Sequence, residues 1–110
     1  MNFLKRLFRK RLSHKDQIRL KFRDAFDGCI KSRYVRSSLN GDAMIGGLLV
    51  YSAIVNTYKS LKDNEDMQLL RSFCILQEGF DPINILKEEL IRAMNKYCGM
   101  EIGFEELEKF

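Results

Sequence analysis

Residues 79–99 read GFDPINILKEELIRAMNKYCG, and this stretch decides the fold class. Asp81 before Pro82 is a helix start. The carboxylate can accept from a free amide of the first turn, and proline's missing N–H costs nothing at the first helical position. Ile83, Leu86, Leu90, Ala93, Met94 and Tyr97 then recur at helical period on one face. Gly99 closes this helix and Gly79 closes the segment before it. The residue after a helix often turns left-handed, which glycine does without strain. A helix with one apolar face needs neighbours to cover that face.

The neighbours read as helices too. Residues 65–78 carry Leu69, Leu70, Phe73, Cys74 and Leu76 after the polar connector Lys62-Asp63-Asn64-Glu65. Residues 43–62 are apolar nearly all round, which marks the central helix, with Asp42 as its N-cap. Gly46 and Gly47 lower its helix propensity by roughly 1 kcal/mol each against Ala. Arg36–Asp42 is a loop: Asn40-Gly41 is a turn dipeptide, and Ser37 and Ser38 compete locally with helix. Ser13 caps a helix in which Ile18, Phe22, Ala25, Phe26, Cys29 and Ile30 form one stripe, with Asp16 in its first turn. Before it, residues 2–12 read NFLKRLFRKRL, with Phe3, Leu4, Leu7, Phe8 and Leu12 opposite five cations. The six-residue step from Leu12 to Ile18 breaks the register, so a new helix is expected near Ser13. Phe104–Phe110 makes a last short amphipathic turn.

No alternating strand pattern, internal repeat or low-complexity tract interrupts this series. The expectation is an all-α, single-domain bundle of about five helices with a short C-terminal helical turn. Residues 1–12 form its basic amphipathic N-terminal helix and residues 13–110 its helical domain, one compact domain overall. At 110 residues the chain can bury a core without staples.

Charge is divided sharply along the chain. Residues 1–36 hold twelve Lys and Arg against three Asp, a net +9, while residues 37–110 carry −5. Such asymmetry suggests an anionic partner for the front third, or docking on the protein's own acids. Lys5, Arg6, Arg9, Lys10 and Arg11 are the leading candidates for partner contact, followed by Lys15, Arg19 and Arg23. The interleaving of charge with apolar residues through Arg11 leaves no continuous signal-peptide core. The longest uncharged stretch, Ala43–Tyr58, would reach only about 24 Å as a helix, short of a bilayer core of roughly 30 Å.

The chemistry-bearing residues are sparse. Three cysteines at wide spacing and a single histidine, His14, give neither a disulfide framework nor a zinc-finger pattern, so no metal site or cofactor is expected. Free cysteines on apolar faces point to a reducing compartment, a cytoplasm. His14 lies in the basic arm and reads as solvated. Glu88 and Glu89 are adjacent and point about 100° apart on a helix, so they make no carboxylate pair. Asp63, Glu65 and Asp66 lack the glycine and closing glutamate of a calcium loop. No phosphate-binding glycine motif is present.

A non-enzymatic binding, adaptor or regulatory protein follows, engaging an acidic protein partner through its basic N-terminal surface. Two other readings share the basic footprint. One is a nucleic-acid accessory protein, although Glu88 and Glu89 on the second helix of the only helix-turn-helix-like pair oppose phosphate. The other is a peripheral membrane protein held by the amphipathic segment. The charge dipole also permits a homodimer.

Overall fold

The computed structural model describes residues 12–31 and 43–110. The expected basic helix at 2–12, apart from Leu12, and the Arg36–Asp42 loop, with the Asp42 cap, lie outside the described residues. Four α-helices follow in order: α1 His14–Ile30, α2 Ala43–Asp63, α3 Glu65–Phe73 and α4 Pro82–Cys98. A π-helical turn, Cys74–Glu78, extends α3, and a 3₁₀ turn, Phe104–Lys109, follows α4. No strand occurs among the described residues. The fold is an all-α, single-domain bundle.

Ser13 and Asp81 cap helices as expected, and Asn64, read from the sequence only as part of a polar connector, caps a third. Ser13 Oγ accepts from the Asp16 amide at 3.1 Å and opens α1. Asn64 Oδ1 accepts from the Asp66 amide at 2.9 Å and turns the chain from α2 into α3. Asp81 Oδ1 accepts from the Ile83 amide at 3.0 Å ahead of Pro82. The same carboxylate receives Arg71 Nε at 3.0 Å and Nη2 at 2.9 Å, which ties α3 to the start of α4. Helix α2 runs through Gly46 and Gly47, and the burial of Val50, Ile54, Val55 and Tyr58 further along it outweighs their low propensity.

Helices α1, α2 and α4 pack on one another pairwise and enclose the core. Helix α1 contributes Ile18, Phe22 and Phe26, which recur every four residues and so line one face. Helix α2 brings Val50, Ile54, Val55 and Tyr58, and α4 brings Ile85, Leu86, Leu90, Ala93 and Met94. Full burial of side chains such as Phe26, Ile54 or Leu90 stabilises the fold by about 1.5–3 kcal/mol each. The 3₁₀ turn lays Leu107 into the same core. Beyond it the Phe110 ring meets Tyr51 and Tyr58, and Lys62 Nζ donates to the Phe110 carbonyl at 3.0 Å.

Helix α3 departs from its sequence reading in two ways. It does not continue as one α-helix to residue 78, because the π turn begins at Cys74; Gly79 then ends the segment at φ +72°. Its apolar residues are also not all core. Met67 and Cys74 are buried, but Leu69, Phe73 and Leu76 are 72%, 52% and 79% exposed. The helix is flanked by packing on one side only, so one apolar side is left facing outward.

Candidate functional site

Eight cations were candidates from the sequence, and the structure separates them. Lys5, Arg6, Arg9, Lys10 and Arg11 lie outside the described residues. Lys15 is exposed, with its ammonium 5.8 Å over the Phe80 ring. Arg19 and Arg23 are engaged within the fold, at the seam of α1 and α4.

That seam is built around Glu89, only 2% exposed. Its Oε1 accepts from Arg23 Nε at 2.8 Å and Arg92 Nε at 2.9 Å. Its Oε2 accepts from Arg19 Nη1 at 3.1 Å and Arg23 Nη2 at 3.3 Å. Arg19 also donates to Glu88 at 2.5 Å, and Arg92 to Asp27 at 2.9 Å. Tyr97 Oη closes the set on Asp27 at 2.7 Å. Three guanidiniums thus meet three carboxylates, which leaves the seam formally neutral.

Electrostatics follow from this geometry. Burial by itself pushes the Glu89 carboxyl upward, but the hydrogen bonds from Arg23, Arg92 and Arg19 outweigh it and hold the group below its ordinary range. Asp27 behaves alike: burial is outweighed by the bonds from Arg92 and Tyr97. Burial raises the Tyr97 phenol, and its bond to the Asp27 carboxylate adds to that. A neutral, hydrogen-bonded seam of this kind specifies how α1 sits on α4. No buried polar side-chain atom is left unpaired among the described residues.

A second polar cluster lies elsewhere, where α1 begins beside α3. His14 is not free in solvent as its sequence context suggested. Its Nδ1 lies 2.5 Å from Glu78 Oε1, and its ring stands edge-on to Phe73 with centroids 6.1 Å apart. The fully buried Cys74 joins them: one ligand atom from each of His14, Cys74 and Glu78 falls within 4.8 Å of the others. A shallow cleft of about 100 Å³ opens alongside, lined by His14, Gln17, Ile18, Lys21, Phe22 and Leu70. Burial raises the Cys74 thiol, and the nearby charges of Glu78 and Asp81 raise it further. Cys74 is therefore a protonated thiol rather than a nucleophile at neutral pH.

The outer side of α3 and its π turn adjoins this cluster. Leu69 and Phe73 stand one turn apart, and Ile75 and Leu76 follow. Gln68, Ser72 and Gln77 are the other exposed residues between positions 68 and 77, and the exposed carboxylates of Glu65 and Asp66 lie one turn before Leu69. Sequence reasoning missed this surface because apolar residues at helical spacing signal core by default. The one available cue was that α3 is more apolar around its circumference than a helix packed on one side requires.

No family model, curated protein or solved structure matches the chain. No helix among the described residues is long and apolar enough to cross a membrane. The three cysteines are free thiols.

Proposed function

We propose that the protein is a small non-enzymatic helical binding module whose partner is an acidic, amphipathic segment of another protein. Its apolar anchors seat on Leu69, Phe73 and Leu76, and its carboxylates meet Lys15 and the cations of residues 1–12. The observation that carries this reading is the exposed apolar side of α3, Leu69, Phe73, Ile75 and Leu76, on a scaffold fixed behind it by Met67 and Cys74. Exposed apolar surface of this kind marks interaction sites more often than chance. The described residues begin at Leu12 and Ser13, next to His14, whose ring meets Phe73 at the edge of the same face. Helix-in-groove recognition uses this combination of spaced apolar anchors with complementary charge. With Arg19 and Arg23 engaged at the α1–α4 seam, exposed Lys15 at the start of α1 is the candidate cation among the described residues that remains for a partner. A reducing cytoplasm suits the three free thiols.

A displayed library of helical peptides tests the reading. The expected winners are acidic, with apolar residues three and four apart. Their affinity should fall at least tenfold in a Leu69→Asp/Leu76→Asp double variant and weaken with salt. Selection of basic or uncharged peptides, or binding indifferent to the double variant, overturns the proposal. So does tighter retention on random RNA or on anionic vesicles at matched ionic strength, which would favour nucleic acid or a lipid surface instead.

A further inference from the structure

We propose that His14, Cys74 and Glu78 form a binding site for a borderline divalent transition metal of the zinc class. The three side chains come from two elements, with His14 sixty positions before Cys74, yet one ligand atom of each lies within 4.8 Å of the others. Nitrogen, sulfur and carboxylate oxygen are the donor types zinc and cobalt(II) accept, whereas calcium and magnesium require oxygen ligands in larger number.

The geometry is near what four-coordination needs. Metal–ligand bonds of about 2.0–2.3 Å place tetrahedral donors roughly 3.5 Å apart. The His14–Glu78 contact at 2.5 Å has to open by about 1 Å, and the sulfur, within 4.8 Å of both, has to close by no more than about 1.3 Å. The side chains of His14 and Glu78 are 40% and 27% exposed, so both can turn without disturbing the core. Cys74 and Glu78 bound the π turn, and such turns recur at functional sites.

Charge favours the same occupant. A Cys74 thiolate and a Glu78 carboxylate together carry −2, which a divalent ion neutralises in a half-buried setting. Binding transfers the Cys74 thiol proton to solvent, and neutral His14 contributes a lone pair, so the complex carries no net charge. The fourth position opens toward the exposed His14 and Glu78 side and takes water. A metal held there ties the first turn of α1 to the π turn directly behind Phe73, stiffening the apolar side of α3. The inference stands on the ligand set and is independent of the partner proposed above.

Cobalt(II) titration of the full chain tests it, with zinc as competitor. The expected result is one equivalent bound, with a thiolate-to-cobalt charge-transfer band that zinc abolishes and millimolar calcium leaves intact. Cys74→Ser should remove the band, while Cys29→Ser and Cys98→Ser keep it. Cys74 is fully buried, so two surface substitutions provide a second arm that does not depend on the core. His14→Gln and Glu78→Gln should each weaken cobalt binding at least tenfold while circular dichroism stays helical. No band at one equivalent, loss of the band in Cys29→Ser or Cys98→Ser with retention in Cys74→Ser, displacement by calcium, or full affinity in either surface variant overturns the proposal.

Discussion

Replacing Glu89 by Gln isolates the value of the α1–α4 seam. The side chain keeps its shape, loses its charge and turns one acceptor oxygen into a donor facing guanidiniums. Glu89 accepts four hydrogen bonds from Arg19, Arg23 and Arg92. Bonds to charged groups contribute about 1.5–3 kcal/mol each when counted alone, but these share one carboxylate and do not add. Arg19 retains Glu88 and Arg92 retains Asp27, so Arg23 is the cation left without its partner. Its side chain is 39% exposed and can turn toward water, which places the loss at the low end for a broken buried pair. About 3 kcal/mol is expected. With a urea m-value of about 1.5 kcal/mol/M, the unfolding midpoint should fall by roughly 2 M. The control is Glu88→Gln, half exposed and bonded to Arg19 alone, for which a loss under about 1 kcal/mol is expected. Acidification gives an independent readout. The folded Glu89 carboxyl lies below its ordinary value of 4.5, so its contribution is complete above that pH and disappears as pH falls toward the folded value. Wild-type protein should therefore lose stability below about pH 4.5, and Glu89→Gln should show a shallower slope there. Equal losses for Glu88→Gln and Glu89→Gln, or parallel acid profiles for variant and wild type, would refute the reasoning.

Other substitutions probe the remaining elements. Gly79→Ala should cost about 1–2 kcal/mol in urea unfolding, because φ is +72° and the strain is in the backbone alone, with open space around the new methyl. Gly28→Ala, inside α1 with nothing within 4 Å, should stabilise by about 0.5–1 kcal/mol in the same assay. Leu90→Ala should cost about 2–5 kcal/mol, while Leu76→Ala, equally apolar but 79% exposed, should stay within about 0.5 kcal/mol of wild type. Burial raises all three thiols, so each should react slowly with a disulfide reagent at neutral pH, with the fully buried Cys74 slowest as followed by mass spectrometry.

Local chemistry determined the elements. Ser13, Asn64 and Asp81 open helices because their side chains reach an amide two or three residues on, and Gly79 and Gly99 close segments because they alone take positive φ cheaply. Those choices involve only near neighbours, so they are written in the sequence. The Ile18–Phe22–Phe26 and Leu86–Leu90–Met94 faces were legible for the same reason, since period alone marks which side of a helix seeks cover. Which apolar side obtains cover was decided only by the packing of helices, and α3 kept Leu69, Phe73 and Leu76 outside. The fate of the charges was decided there as well. Arg19 and Arg23 read as a basic surface until α4, some seventy residues on, sets Glu88 and Glu89 against them. His14, Cys74 and Glu78 carry no recognisable spacing, because two elements distant in the chain, one ending in a π turn, bring them together. Capping and periodicity act over a few residues, whereas a site assembled from different helices exists only once those helices have chosen their neighbours.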